Sequence, residues 1–165
     1  MPPEALLDFV APWADVYADS SVLPTLVTFG HTAALVFAGG LAVTLDRATL
    51  RAARGSSEIR WRQLKELGSA HRLVLFGLGL SLFTGILMFA ADLETYFVSR
   101  IFWTKIGLIG LLLGNGYLMT RTESRIASTP NAADDAGWKR LRFSAGISMA
   151  LWFMIAFAGV ALVNA

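Results

Sequence analysis

Two histidines are the side chains of this 165-residue chain best suited to chemistry in an apolar environment. His31 lies inside a long apolar run, and His71 lies at the start of another. Imidazole nitrogens are standard axial ligands of haem iron, and ionisable groups within a membrane span are rare and often functional. His31 and His71 are therefore candidate ligands of haem b, which would make the protein an electron carrier.

The depths of the two histidines argue against one haem held by both within a single chain. At ~1.5 Å per residue, His31 lies roughly 15 Å below one membrane boundary and His71 roughly 30 Å below it. A dimer, a deeper first span or a methionine partner (Met119 or Met154) would remove this difficulty. The alternative is that His31 packs against a backbone carbonyl and that His71 is an interfacial residue.

A compact group of charged residues separates the second and third apolar runs: Asp92, Glu94, Arg100 and Lys105. The Lys105 ammonium is inside an apolar run, so it must extend to the interface or pair with a carboxylate. Asp92 is its natural partner. We expect an ion pair that fixes this hairpin, with a proton or ligand site as the alternative.

Polar and small residues inside the apolar runs predict helix packing. Thr84 and Asn115 can form hydrogen bonds between neighbouring helices. The first run also repeats a small residue at every fourth position, which gives a smooth face for a second helix: Gly30, Ala34, Ala38 and Ala42.

The elements that must position these residues are four membrane spans. The chain is 55% hydrophobic and only 16% charged, with a mean hydropathy of +0.57. A helix needs about 20 apolar residues to cross a bilayer, and four runs have this length: 22–45, 71–91, 101–119 and 143–163. We therefore predict an all-α integral membrane four-helix bundle over residues 22–163.

Residues 1–21 form an acidic, aromatic segment without Lys or Arg. Their pattern predicts an amphipathic segment at the membrane interface, interrupted at Pro12. After the Gly55–Ser57 break, Ser57 is expected to cap a helix that starts at Glu58 and continues into the second span.

The basic residues predict the orientation in the membrane. Seven of the 14 Lys and Arg residues lie in 46–72 and five lie in 120–142. By the positive-inside rule both loops are cytoplasmic and both termini are outside.

Several classes of site are excluded by what the sequence lacks. It has no cysteine, so thiolate and iron–sulfur chemistry are excluded. It also has no phosphate loop, catalytic triad or HExxH motif. We therefore predict no catalytic residue, no metal cluster and no nucleic-acid partner, and enzyme activity by the chain alone is not expected.

Two stretches of the chain resemble uncharacterised bacterial four-span inner-membrane families: 31–52, beginning HTAALVFAGGLAVTLDRATLRA, and 84–119, beginning TGILMFAADLETYFVSRIFWTK. The positions that match their pattern are His31, Asp92, Lys105 and Asn115. A looser likeness, through an early His followed by Gly-Gly, links the chain to the membrane part of copper-resistance D proteins and to small b-type cytochromes. The resemblance implies the four-span topology and a location in the inner membrane of a bacterium, and it brings no established activity.

Three functions follow from these observations. The sequence favours a small accessory subunit that contacts other membrane proteins, or a second copy of itself, through its small-residue faces. The alternative is a haem- or metal-binding electron carrier that uses His31, with or without His71. A small transporter for lipid-soluble substrates ranks third, because polar side chains in the spans are few.

Overall fold

The computed structural model describes residues 2–128 and 134–164, and its regular secondary structure is entirely α-helical. The helices are α1 (Glu4–Asp19), α2 (Leu23–Ala52), α3 (Ser57–Ala91), α4 (Leu93–Val98), α5 (Arg100–Ala127) and α6 (Asp135–Val163). Four of them, α2, α3, α5 and α6, are long and apolar enough to cross a membrane. The predicted all-α four-helix bundle is confirmed, and the protein is a multi-pass membrane protein.

The outer surface of the bundle is apolar, as a lipid environment requires. Large hydrophobic side chains are more than half exposed on every long helix, and they include Phe29, Phe83, Leu111 and Phe157. Such extensive exposed apolar surface is rare on monomeric soluble proteins. This surface is suited to contact with the acyl chains of membrane lipids.

The four long helices form an open ring. Helix α2 packs along α3 and α6, and α6 packs along α5, whereas α3 and α5 scarcely touch. The α2–α3 crossing is close, since a Cβ atom on Gly77 would lie 2.9 Å from the Cβ of Ala38. The small residues predicted to form a packing face on α2 are used here, and Ala38 is fully buried.

The two ends of the bundle are closed differently. At the end that carries the 53–56 turn, here called the loop end, Arg60 Nη1 lies 2.6 Å from Asp135 Oδ1 and Nη2 donates to the Ala53 carbonyl at 2.9 Å. The Arg60 guanidinium also covers the ring of Trp138, which is 1% exposed. One arginine thus ties together the loop-end termini of α2, α3 and α6.

The opposite end, here called the terminal end, carries α1 and α4. Helix α1 packs mainly on α3, and its Trp13 Nε1 donates to the Leu87 carbonyl at 2.9 Å. The predicted interruption at Pro12 is wrong, because α1 is continuous from Glu4 to Asp19. Proline removes one backbone donor from the ladder, and the tertiary packing of α1 compensates for that loss.

Candidate ligand-binding site

A cavity of about 290 Å³ lies in the loop-end half of the bundle, in the gap between α3 and α5. Its walls are mostly aliphatic, and its polar lining atoms come from a few side chains. Those polar lining residues are Asp46, His71, Tyr117, Thr120 and Ser148. Apolar walls with a few placed polar groups are typical of small-molecule sites, and this volume is near the lower limit of about 300 Å³ for such pockets.

The cavity opens sideways toward the lipid. Leu75 on α3 and Leu113 and Tyr117 on α5 line it and are 56%, 48% and 56% exposed. These residues flank the gap that the sparse α3–α5 contact leaves in the ring. A lipophilic molecule can therefore reach the cavity from the bilayer without crossing the water-exposed loops.

Asp46 is the most deeply buried ionisable group of the cavity wall. It lies one helical turn beyond Ala42, on the same face of α2 as Ala38 and Ala42. Its side chain therefore points into the bundle. It is 3% exposed and interacts with the hydroxyl of Ser148 on α6. Its Oδ2 atom is buried and has no hydrogen-bond partner, which leaves a strong acceptor unused in the wall of an apolar cavity.

A second buried carboxylate, that of Glu123 on α5, lies next to this site. Glu123 is 7% exposed, its Oε1 has no hydrogen-bond partner, and it is close enough to Asp46 to interact with it electrostatically. Its Oε2 lies 3.6 Å from Nδ1 of His71, whose ring is partly exposed. The Nδ1 atom is also 3.1 Å from the Leu67 carbonyl, and Nε2 is 3.5 Å from the Thr120 hydroxyl.

The charge of this site is not balanced by lysine or arginine. Within residues 2–128 and 134–164, neither Asp46 nor Glu123 lies within 4.0 Å of a Lys or Arg nitrogen. Arg60, a partly buried arginine at the same end of the bundle, is committed to Asp135. A buried carboxylate without a partner is unfavourable, so the site attracts a cation or a hydrogen-bond donor.

A buried polar layer, made by Gln63 and Thr49, joins α2 to α3 near the cavity, outside the residues that line it. Gln63 is 5% exposed, and its Nε2 donates to the Thr49 hydroxyl at 3.1 Å and lies 3.4 Å from the Leu45 carbonyl. Thr49 in turn donates to the Leu45 carbonyl at 2.9 Å. These bonds join α2 to α3 and give the Gln63 amide nitrogen two acceptors, whereas Asp46 Oδ2 and Glu123 Oε1 have no hydrogen-bond partner.

His31 lies at a different level, in the terminal-end half of the bundle. Its Nδ1 is 2.9 Å from the Ser81 carbonyl and 3.2 Å from the Thr84 hydroxyl. Gly85 makes room for the ring, since a Cβ there would lie 3.2 Å from His31 Cε1. An Nδ1–H donated to a backbone carbonyl fixes the neutral tautomer and leaves Nε2 as the free acceptor.

The structure keeps the two predicted haem ligands apart. His31 contacts α3 at Ser81, and His71 lies ten residues earlier on the same helix. Ten residues of α-helix span about 15 Å. The two imidazoles therefore cannot ligate one haem iron within a single chain, although each ring has its Nδ1 next to a backbone carbonyl, of Ser81 for His31 and of Leu67 for His71.

The ion pair predicted between Asp92 and Lys105 is not formed in the described part of the chain. Asp92 instead caps the short helix α4 and accepts from the Thr95 backbone N–H at 3.3 Å, while Glu94 is exposed. The Lys105 side chain runs inward along α6, and its Nζ lies 3.6 Å from the position of a Cβ on Gly159. Lys105 belongs to the inward face of α5, seven residues before the buried Leu112, so helix rotation directs it into the bundle.

The predicted polar packing residues both form hydrogen bonds. Asn115 Nδ2 donates to the Ser144 carbonyl at 3.0 Å and so joins α5 to α6. The Thr84 hydroxyl donates to the Leu80 carbonyl at 2.8 Å and faces His31 across the α2–α3 contact.

Asp46, Glu123 and Ser148 are site residues that the sequence reasoning missed. The predicted first span ends at residue 45, so Asp46 falls at the start of the predicted cytoplasmic loop 46–72. The signal that could have identified it is the repeat of buried positions at every fourth residue of α2, which runs through Ala34, Ala38 and Ala42 to Asp46. Glu123 is likewise one turn beyond Met119 on the buried face of α5.

Comparison with protein-family models, with curated proteins and with solved structures finds no match for this chain. The case for a function therefore rests on the geometry of the residues.

Proposed function

We propose that this protein binds a lipophilic amine in the loop-end cavity, as the substrate site of a small membrane transporter. The observation that carries the proposal is the Asp46 carboxylate, which is buried in the cavity wall with an unpartnered oxygen. A protonated amine would donate to Oδ2, and its hydrocarbon part would fill the aliphatic walls.

Charge and access both support this ligand class. Two neighbouring carboxylates, with no lysine or arginine in ion-pair contact among residues 2–128 and 134–164, favour a cation over an anion or a neutral molecule. The lateral opening between α3 and α5 favours a ligand that is already dissolved in the bilayer. Only a ligand with an apolar body and one cationic end meets both conditions.

The proposed location is the inner membrane of a bacterium, with the loop end in the cytoplasm. Twelve of the 14 Lys and Arg residues belong to the two segments at this end, seven in 46–72 and five in 120–142, which supports the orientation through the positive-inside rule. On this topology the amine site lies in the cytoplasmic half of the bilayer.

The test is a binding measurement on the full chain in lipid nanodiscs, with n-octylamine as the probe and n-octanol as its uncharged counterpart. We expect the wild-type protein to give saturable heat of binding with octylamine. In Asp46→Asn the affinity for octylamine should fall by about tenfold or more, which is the contribution of one charge-assisted hydrogen bond. Glu58→Gln, which removes an exposed carboxylate from the same end, should leave binding unchanged. Equal affinity for octylamine and octanol would reject the proposal.

A haem-binding electron carrier is the second candidate, and one contact favours it. His31 Nδ1 is held by the Ser81 carbonyl, the arrangement by which proteins orient a histidine whose Nε2 ligates a metal. The cation of Lys105 nearby disfavours a bare metal ion there, although it could pair with a carboxylate of a porphyrin. Oxidised and dithionite-reduced absorption spectra of protein from haem-replete cells decide the question, since a Soret band abolished by His31→Ala is expected and colourless protein would rule it out.

The accessory-subunit hypothesis stays a prediction. Its best support is an exposed face of α5 on which Gly107, Gly110 and Gly114 recur at helical spacing, with open space around each. Such a face lets a second membrane helix approach closely. Co-purification of a larger assembly under mild solubilisation would support it, and partner-free protein at native expression would count against it.

A further inference from the structure

Arg121 lies beside the lateral opening of the loop-end cavity. Its guanidinium carbon is 4.7 Å from the centre of the Tyr117 ring, and Tyr117 both lines the cavity and is 56% exposed. Arg121 is itself exposed, and within residues 2–128 and 134–164 it has no hydrogen bond and no ion pair. A cation–π contact restrains a guanidinium without supplying an oxygen acceptor, so the N–H donors of Arg121 remain available to an anion.

The Arg121 cation and the Asp46 carboxylate lie at the same level of the membrane. The apolar runs of α2 and α5 end at residues 45 and 119, just before these two side chains. Counted from the first residue of each helix, Asp46 is about 35 Å along α2 and Arg121 is about 32 Å along α5, close to the ~30 Å thickness of a hydrocarbon core. Both charges therefore lie where the acyl chains meet the headgroups.

The cavity and its opening thus present two opposite charges and an apolar surface to one ligand. The Asp46 Oδ2 atom is buried in the wall without a hydrogen-bond partner, whereas Arg121 lies on the exposed side of Tyr117. Leu75 and Leu113 line the cavity and are about half exposed, so they can contact hydrocarbon on the bilayer side. A complementary ligand has an ammonium group, a phosphate a few bonds away, and acyl chains beyond the phosphate.

We propose that the amine bound by this cavity is the headgroup of phosphatidylethanolamine, with its ammonium at Asp46, its phosphate at Arg121 and its acyl chains along the α3–α5 opening. Arginine and phosphate form short, charge-assisted hydrogen bonds that are frequently bidentate. A primary ammonium has three N–H donors for the carboxylate, whereas the trimethylated ammonium of phosphatidylcholine has none, so the site would distinguish these two lipids. This inference rests on the proposed amine site and adds a phosphate contact to it.

The test is calorimetric titration of the full chain, in phosphatidylcholine nanodiscs, with short-chain dihexanoyl phosphatidylethanolamine. Arg121→Gln should weaken binding of this lipid by about tenfold, the contribution of one charge-assisted hydrogen bond, and should leave octylamine binding unchanged, because octylamine has no phosphate. Arg47→Gln removes an exposed cation at the same membrane level that does not line the cavity, and both affinities should be retained. Equal lipid affinity in wild type and Arg121→Gln would overturn the phosphate contact, whereas the amine site itself is judged separately, by the dependence of octylamine binding on Asp46.

Two further ligands and one variant test the remaining parts of the proposal. Dihexanoyl phosphatidylglycerol keeps the phosphate and the chains but lacks the amine, and glycerophosphoethanolamine keeps both charged groups but lacks the chains. Each should bind at least about tenfold more weakly than the ethanolamine lipid. Equal binding of the glycerol lipid would overturn the pairing with Asp46, and equal binding of glycerophosphoethanolamine would overturn the assignment to a lipid. Tyr117→Leu keeps an apolar wall but removes the ring that restrains Arg121, so an unchanged lipid affinity in this variant would contradict the geometry.

Discussion

Replacing Asp46 by Asn should make the protein more stable and a poorer binder at the same time. Asp46 is 3% exposed, its Oδ2 has no partner, and Glu123 adds a second negative charge nearby. An unsatisfied buried charged group costs about 1–3 kcal/mol or more, and Asn keeps the shape while removing the charge. For a chain of this size that free energy corresponds to a rise in Tm of about 2–12 °C.

The same substitution removes the charge that a bound amine would pair with. One charge-assisted hydrogen bond contributes about 1.5–3 kcal/mol, which is about tenfold to a hundredfold in Kd. Both effects can be measured on one sample, by thermal unfolding and by calorimetric titration with octylamine in nanodiscs. A structural role for Asp46 would lower the Tm, so loss of stability in Asp46→Asn, or unchanged binding, would refute the reasoning.

Three matched predictions test the packing around the site. Gly116→Leu fills the cavity and should weaken octylamine binding by at least about tenfold. Gly114 does not line the cavity, so Gly114→Leu should leave octylamine binding unchanged. Calorimetric titration of the two variants measures this difference. Gly77→Ala places a methyl group 2.9 Å from the Ala38 Cβ of α2 and should destabilise the protein by about 1–3 kcal/mol. A methyl group on Gly79 meets no atom within 4 Å, so Gly79→Ala should leave stability unchanged or raise it. Equal melting temperatures for the two variants would contradict the close α2–α3 crossing. Asn115→Ala breaks the bond to α6 and should lower stability by about 0.6 kcal/mol, so an unchanged Tm would show that the bond contributes nothing.

The fold was predictable because a membrane span is a local property of the sequence. The length and apolar content of each run are enough to identify a helix that crosses a bilayer, and the structure contains four of them. The α2 packing face was also predictable, since small residues at every fourth position lie on one side of a helix and Ala38 is buried there.

The site was less predictable, because it depends on which helices are neighbours and how each is rotated. Asp46 was interpreted as a boundary residue, and only the packing of α2 against α6 shows that it meets Ser148. The sequence pairs Lys105 with Asp92 across the turn between the second and third spans, whereas the position of Lys105 on the inward face of α5 directs its side chain toward α6. The rotation of α5 about its axis, which a sequence does not show directly, therefore decides which groups Lys105 contacts.

Photoaffinity labelling tests the lateral amine site most directly. An alkylamine with a diazirine near the end of its chain is incorporated with the protein in nanodiscs, irradiated, and mapped by peptide sequencing. We predict labels on cavity residues such as Leu75, Leu78 and Leu113, removed by excess octylamine and absent in Gly116→Leu. Labels spread over lipid-facing residues such as Phe29 and Phe157, unaffected by octylamine, would contradict the proposed binding site.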